Sequence, residues 1–388
     1  VTDTYEPGSV MKPILAAGAM DQGVITPKTK LHCEFGKWQI GKHWIHESEE
    51  KDRWGLLPVG QVLQKSSNVG AAKLGFLFGS DRLYQWYRLI GFGEKTGIDL
   101  PGEQSGGIAK PEKWSKIQHA NISFGQGLTV TPLQIARAYA SLANGGTLVT
   151  PRLVKELRTF EGELIKELPP GPRRKVMEKK TAATLGEMLS GVATDEGTAP
   201  KAAIPGFTVI GKTGTAQKPI LGRGYRSGKY MSSFVGYVKG VNPNYVVYVM
   251  VDEPRFPYFG GETAGPIFRR IMTSVLAHEG IAPDSNLIQL ANNSRTPNQA
   301  AAPLKREKQA KKALSGLAEP PQALVQAEDS WLMPDLKGLT ARDVMDLFSG
   351  KDLRLQLRGS GLVRAQVPAA GVLLKKGENI AVHLERET

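Results

Sequence analysis

The sequence predicts a mixed α/β (α+β) fold followed by a second, smaller α/β unit. Three observations carry this. An apolar helix opens the chain, with Ile14, Leu15, Ala16, Ala17, Ala19 and Met20 running on from Ser9 and Lys12. Strand candidates gather late, at 208–217, 231–239 and 245–251, ahead of a helix at 265–278. Between 283 and 330 the chain turns to Asn, Ala, Pro, Gln and Lys, which reads as a disordered linker, and ordered patterning resumes at 331. The expected division is therefore a main domain over 1–282, a linker over 283–330 and a small domain over 331–388.

Taken in order, Pro7 and Gly8 punctuate the entry to a helix over 9–22. Gly, His and charged residues from 31 to 54 suggest strands and turns. A short helix at 58–65 presents a loop at Ser66–Asn68, and the next helix is expected to pack through Leu74, Phe76, Leu77 and Phe78. A helix over 81–90 and a glycine-rich loop over 101–113 follow. Thr131 and Pro132 open an amphipathic helix with Leu133, Ile135, Tyr139 and Leu142 apolar, and Asn144-Gly145-Gly146 stops it. Loose alternation at 153–167 predicts a surface hairpin. A helix over 179–196, closed by Gly197, places Leu185, Met188, Leu189 and Val192 on one face. The run YVVYVMV at 245–251 is apolar on both faces and is expected to be central and buried. GRGYRSGK at 222–229 reads as a long, mobile connection. In the last segment Thr340 caps a helix carrying Val344, Leu347 and Phe348, and three alternating strands follow.

At 388 residues the chain is long enough for two or three domains. A net charge of +13 favours anionic surroundings such as a wall polymer or lipid surface. No nucleic-acid motif accompanies the charge, so nucleic acid is not the inferred partner. The single cysteine, Cys33, forms no intrachain disulfide and reads as a small buried side chain. Its spacing to His43 and His46 matches no zinc pattern, and neither metal nor cofactor is implied. No run approaches the ~18 apolar residues of a membrane span.

The chemistry-bearing pattern is ordered. Ser9 and Lys12 lie three apart on one helix face, where a lysine with a lowered pKa can take the serine proton. Ser66-Ser67-Asn68 is the only S-x-N in the chain. Lys212-Thr213-Gly214-Thr215 sits in a strand whose glycines permit close backbone approach. Two of the motifs have decoys. Ser48-x-x-Lys51 lies in the charged run HESEEKDR, which reads as a solvated loop, and Lys95-Thr96-Gly97 reads as a turn.

With YEPGSVMKP, LQKSSNVGAAKLG, FGQGLTVTPLQIARAYASLANGG and GKTGTAQK in this order, residues 1–280 resemble the class B penicillin-binding proteins, most of all the division-type septal transpeptidases. MPDLKGLTARDV, AQVPAAG and LKKGENIAVHL resemble a PASTA domain. The resemblance implies a penicillin-binding transpeptidase/serine β-lactamase-like fold, an antiparallel sheet flanked by helices. It implies Ser9 as acyl acceptor, Lys12 as its base, and Ser66, Asn68 and Lys212 as catalytic partners. Thr213, Gly214 and Thr215 would bind substrate, and the backbone N–H groups of Ser9 and Thr215 would form the oxyanion hole. The implied substrates are peptidoglycan stem peptides ending in D-Ala-D-Ala, with β-lactams acylating the same serine. Division-complex proteins, including a glycosyltransferase, are the implied partners, and the outer face of the cell membrane is the implied location. A serine β-lactamase, a D,D-carboxypeptidase and a non-catalytic division scaffold are the alternatives. The chain opens without Met inside a motif, so it is expected to be a fragment lacking an anchor, a pedestal and the first sheet strands. Residues 1–388 alone are then expected to be poorly soluble and weakly acylated.

Overall fold

The structure, a computed structural model, describes residues 1–218, 225, 228–242, 244–284, 287, 326–327, 330–348, 353–370 and 372–385. The chain divides into two compact units, Val1–Arg295 and Thr296–Thr388. The expected linker at 283–330 and the connection at 222–229 lie largely outside the described residues.

In the first unit a 3-10 turn, Gly8–Met11, runs straight into helix α1, Lys12–Asp21. Strands β1 (Lys30–His32), β2 (Lys37–Ile40), β3 (His43–His46) and β4 (Leu56–Pro58) form two small antiparallel pairs, β1 with β4 and β2 with β3. Helices α2 (Val59–Gln64), α3 (Asn68–Phe78), α4 (Ser80–Leu89), α5 (Lys116–Ser123) and α6 (Pro132–Ala143) follow. Strand β5 (Thr147–Val149) precedes the hairpin of β6 (Glu156–Arg158) and β7 (Leu164–Glu167) and pairs with β8 (Arg173–Lys175). Helix α7 (Lys179–Ser190) leads to the main sheet of β9 (Val209–Gln217), β10 (Tyr230–Val238) and β11 (Val247–Asp252), against which α8 (Gly260–His278) packs.

Helix α1 is the centre of this unit. Every residue from Lys12 to Ala19 is buried, as expected of a helix apolar on nearly all sides. It is held by hydrogen bonds from other helices as well as by packing. Trp86 Nε1 of α4 donates to the Ile14 carbonyl at 2.7 Å, and Tyr139 Oη of α6 donates to the Val10 carbonyl at 2.9 Å. The α6 helix starts as its sequence predicts. Thr131 Oγ1 accepts from Gln134 N and the Gln134 side chain accepts from Thr131 N, a reciprocal capping box with Pro132 in the first turn.

The structure corrects several expectations. The main sheet is antiparallel with order β11–β10–β9, so the run around Tyr245–Val251 lies at an edge and β10 is central. The run is not buried either, since Val249 alone of residues 245–251 is buried and the others are half-buried, so apolarity on both faces decided neither its burial nor its place in the hydrogen-bonded order. Leu77 is exposed, while Val69, Ala71, Ala72, Leu74 and Phe78 bury the core face of α3. Helix α7 ends at Ser190, and Val192 is buried from the short 3-10 turn Gly191–Ala193 that follows. Helix α8 starts at Gly260, five residues before the expected start, and carries Pro266 inside it.

The second unit has α9 (Ala341–Phe348) capped by Thr340, whose Oγ1 accepts from Asp343 N while Asp343 Oδ2 accepts from Thr340 N. Its strands β14 (Arg354–Gly359), β15 (Leu362–Val367) and β17 (Asn379–Glu385) form the expected sheet, with β17 central and parallel to β14. Val344, Phe348, Val363, Ile380, Val382 and Leu384 make its core. A short antiparallel sheet of β12 (Gln326–Ala327), β13 (Ser330–Leu332) and β16 (Leu373–Lys375) was not foreseen.

Gly18 sets the approach of α4 to α1, since a Cβ there would lie 2.6 Å from the Trp86 ring. Gly18→Ala gains helix propensity of about 1 kcal/mol but overpacks a buried tryptophan at a cost of about 1–3 kcal/mol. The expected outcome is a lower midpoint of denaturant unfolding. An unchanged or raised midpoint contradicts this packing.

Candidate active site

Three segments far apart in sequence meet around Lys12. The 3-10 turn brings Ser9, half-buried, to the surface of the core just before α1. The turn into α3 brings Ser66 and Asn68, and β9 brings Lys212. Close contact between the serine turn and β9 depends on Gly214, where a Cβ would meet Ser233 Oγ at 2.4 Å and Val10 Cγ1 at 3.1 Å. The other side of the turn is tied by Gly8 N to the Gly125 carbonyl at 2.9 Å.

Lys12 is almost wholly enclosed. Its Nζ donates to the Ser66 carbonyl at 2.5 Å, to Ser66 Oγ at 3.2 Å and to Asn68 Oδ1 at 2.7 Å. Three acceptors match the three protons of an ammonium. Ser66 offers both of its oxygens because its backbone sits in the left-handed region, at φ +61°. That conformation is uncommon for a residue with a side chain and costs of order 1–3 kcal/mol. Lys212, buried on β9, donates to the same Ser66 Oγ at 2.9 Å and to Thr213 Oγ1 at 3.2 Å. One serine hydroxyl therefore accepts from two lysines, and its own O–H is left as a donor.

Burial pushes the Lys12 amine down to about 7, against an upward pull from Glu47 and Cys33. Burial pushes Lys212 well below the ordinary lysine range, and the neighbouring Lys12 charge pushes it further. Desolvation is thus the larger cause at Lys12. The mutual repulsion is felt at Lys212. Among the described residues no hydrogen bond joins Ser9 Oγ to Lys12 Nζ.

Thr213 is buried, and its hydroxyl also meets Thr198 Oγ1 at 2.8 Å. Thr215 Oγ1 accepts from Gly260 N, the first residue of α8, at 3.0 Å. The Thr215 hydroxyl keeps its proton to donate, while in the Thr213–Thr198 bond either hydroxyl is able to be the donor. Strand β9 is an edge of the main sheet as described.

Sequence reasoning missed three neighbours of this site. Ser67 is the N-cap of α3, its Oγ accepting from Gly70 N at 2.9 Å, so Asn68 is the first helical residue and not part of a loop. Glu47, placed in a solvated charge run, is buried at the α3 N-terminus. It accepts from Ser67 Oγ at 2.5 Å and Asn68 N at 2.5 Å. The His46 carbonyl accepts from Asn68 Nδ2 at 2.9 Å. No local signal separates Glu47 from the exposed Ser48 and Glu50 around it. The decoys fall away. Ser48 and Lys51 are exposed, with Lys51 paired to Glu49 at 2.8 Å. Thr96 is buried between exposed Lys95 and Gly97, in a stretch without regular structure, and its N–H donates to Glu103 Oε1 at 2.8 Å. Cys33 is buried as expected, with His43 and His46 exposed.

Residues 1–273 match the family described as penicillin binding protein transpeptidase domain. The chain belongs to that family. Residues 332–386 match the PASTA domain, and the second unit is one. Among similar proteins of this transpeptidase family, Stage V sporulation protein D of Bacillus subtilis is 32% identical over 402 residues, covering 100% of this chain and 55% of its own length. Peptidoglycan D,D-transpeptidase FtsI of Escherichia coli K12 is 35% identical over 290 residues, covering 74% of this chain and 46% of its own. Penicillin binding protein 3 of Mycobacterium tuberculosis, solved in complex with aztreonam, is 34% identical with a TM-score of 0.67, covering 74% of this chain and 66% of that one. The chain thus spans about half the length of these two curated relatives. No described helix is long and apolar enough to cross a membrane.

The low pKa of Lys12 has a stability consequence of fixed sign. Folded Lys12 releases its proton near 7 while the unfolded side chain holds it to about 10.4, so unfolding takes up a proton between these values. The contribution of this side chain to stability therefore rises with pH across that window. Relative to Lys12→Met, the wild type should gain stability from pH ~7 to pH ~9 in denaturant titrations. A difference independent of pH contradicts a depressed pKa.

Proposed function

We propose that this chain is the catalytic part of a peptidoglycan D,D-transpeptidase that cross-links stem peptides through an acyl-serine on Ser9 during septal wall synthesis. The observation that carries it is the pair of buried lysines, Lys12 and Lys212, meeting on one hydroxyl, Ser66 Oγ, beside Ser9. A neutral Lys12 has a lone pair, and it accepts the Ser9 proton as Oγ attacks the carbonyl of the penultimate D-alanine. The Ser66 O–H passes a proton to the departing D-alanine nitrogen while Ser66 Oγ takes the proton that Lys12 received from Ser9, which leaves Lys12 neutral again. Asn68 holds Lys12 and orients the substrate amide.

An extended stem peptide adds along the edge of β9, where the backbone N–H groups of Ser9 and Thr215 receive the oxyanion. Lys212 and the hydroxyls of Thr213 and Thr215 take the terminal carboxylate, with Gly214 admitting the backbone. An amine of a second stem then attacks the acyl-serine, and the acyl group leaves Ser9 as the proton returns through Lys12. β-Lactams acylate the same oxygen. The names of the relatives, a D,D-transpeptidase and a penicillin-binding protein solved with aztreonam, support this reading. The setting is the outer face of the cell membrane, among division proteins that include a glycosyltransferase.

Mass spectrometry of the full-length protein after penicillin exposure tests the assignment. A single adduct is expected on the peptide containing Ser9, lost in Ser9→Ala. An adduct on Ser48 or Ser66 overturns it, and rapid turnover of nitrocefin makes the protein a β-lactamase instead.

A further inference from the structure

Glu47 belongs to neither the nucleophile helix, the S-x-N turn nor β9, yet it is tied to two of them. It follows directly on β3, and its carboxylate is buried against the start of α3. Oε2 accepts from Asn68 N at 2.5 Å, and Oε1 accepts from Ser67 Oγ at 2.5 Å and Val69 N at 3.4 Å. An anion at a helix N-terminus is favourable in itself, because the first N–H groups have no partner within the helix. The N-cap serine alone already satisfies Gly70 N, so the carboxylate is a second layer of capping.

This second layer fixes the catalytic amide. With its backbone N–H on Glu47 and its side-chain Nδ2 on the His46 carbonyl, Asn68 has a single orientation, in which Oδ1 faces Lys12 at 2.7 Å. Rotating the amide would set an NH2 group against the lysine and leave the His46 carbonyl facing an oxygen. Two consecutive residues at the end of β3, His46 and Glu47, thus determine which atom of Asn68 meets Lys12.

The charge matters as well as the bonds. The groups acting on Lys12 and Glu47 are few. Lys12 feels Glu47 and the Cys33 thiol, and it shares Ser66 with Lys212. Burial pushes the Glu47 carboxyl up, against the pull of the Ser67 bond, the Lys12 charge and the bonds from Asn68 and Val69. Burial also pushes the Cys33 thiol up, so it is neutral at ordinary pH, and Lys73 is paired with Glu34. With donors on both of its oxygens, Glu47 is the anion of this cluster.

We propose that Glu47 is a positioning residue for the acylation step, holding Ser67 and Asn68 against Lys12 and supplying the negative charge that balances the ammonium formed when Lys12 takes the Ser9 proton. The covalent step is unchanged: the Ser9 O–H bond breaks, an N–H bond forms on Lys12, and Oγ bonds to the acyl carbon. Glu47 touches none of these atoms.

The inference rests on the acyl-serine reading, and the test separates the two. Acylation of the full-length protein by a fluorescent penicillin is measured against pH for the wild type, Glu47→Gln, Glu47→Asp and Ser67→Ala. Without the anion the Lys12 ammonium is less stable, so in Glu47→Gln the acidic limb of the profile should move to lower pH by about one unit. Its maximal rate should fall roughly tenfold or more as Asn68 loses its fixed orientation. Glu47→Asp keeps the charge on a shorter arm, so its limb should stay in place while the maximum falls. Ser67→Ala, which removes the N-cap and one of the three donors to Glu47 but keeps the carboxylate and its bond from Asn68 N, should lower Tm and leave the limb where it was. A limb unmoved in Glu47→Gln overturns the charge role, and a full rate in Glu47→Asp overturns the positioning role. If Glu47→Gln does not fold, Glu47→Asp decides the positioning claim.

A readout without catalysis comes from a double-mutant cycle of Lys12→Met and Glu47→Gln in thermal unfolding. Their Tm shifts should be non-additive at about pH 6, where Lys12 is charged, and closer to additive at about pH 9. Additive shifts at both pH values overturn the inference whether or not the protein is acylated. Absence of acylation in the wild type with non-additive shifts would instead count against the acyl-serine reading alone.

Discussion

A lysine amine buried in the core, with every proton directed at an oxygen, is the constraint around which the first unit is arranged. Burying an unpaired ammonium is costly enough that the group releases its proton instead. Lys12 sits at the balance point, because Ser66 and Asn68 supply three acceptors while burial opposes the charge. An amine held there exchanges a proton near neutral pH. Moving it toward water would return it to a strongly basic lysine, and removing its acceptors would make it too weak a base. The shifted proton affinity of this amine is therefore a property of the packing, which α1 supplies by being buried from Lys12 to Ala19.

The acceptors in turn require rigid support. Ser66 holds a left-handed backbone that only a well-determined surrounding maintains. Its position is fixed by Ser66 N bonding the Leu63 carbonyl on one side and by the start of α3 on the other. That start is capped from within by Ser67 and from outside by Glu47, so the small β2–β3 hairpin, remote from the main sheet, determines the geometry of the base. Across the cleft, Gly214 lets β9 approach the serine turn closely enough for Lys212 to reach the same hydroxyl. The contacts from Glu47 and from Lys212 join residues far apart in sequence.

Much of this was legible in the sequence, and what was legible was local. The helix after Ser9, the capping box at Thr131, the hairpin near 156–167 and the alternation of the PASTA strands depend on neighbours within a few residues. The order of strands in the main sheet was not legible, because apolarity on both faces of 245–251 fixed neither its burial nor its pairing. Helix α8 starts five residues ahead of the expected 265 and so carries Pro266 inside it. Leu77 looked like core by composition, but the turn of the helix faces it outward. Glu47 was the most consequential omission. In HESEEKDR a buried carboxylate is spelled like its solvated neighbours, and only the tertiary position of the α3 N-terminus distinguishes it.

The decoys make the same point from the other side. Ser48 and Lys51 have the spacing of Ser9 and Lys12, and Lys95-Thr96-Gly97 has the letters of Lys212-Thr213-Gly214. Ser48 and Lys51 lie in solvent beside Glu49, where water screens the charge and no burial opposes it. Thr96 is buried, but Glu103 occupies its N–H in a stretch without regular structure, with no strand edge to receive a peptide. A motif of four residues specifies which groups are present. The water excluded around them, the acceptors aimed at them and the second lysine across the cleft determine whether those groups exchange a proton. Those are supplied by segments that span more than two hundred positions, from Ser9 to Lys212. The ordered set therefore carries information that no single motif does: it identifies a chain able to bring a buried amine, a shared hydroxyl and an open strand edge to one place.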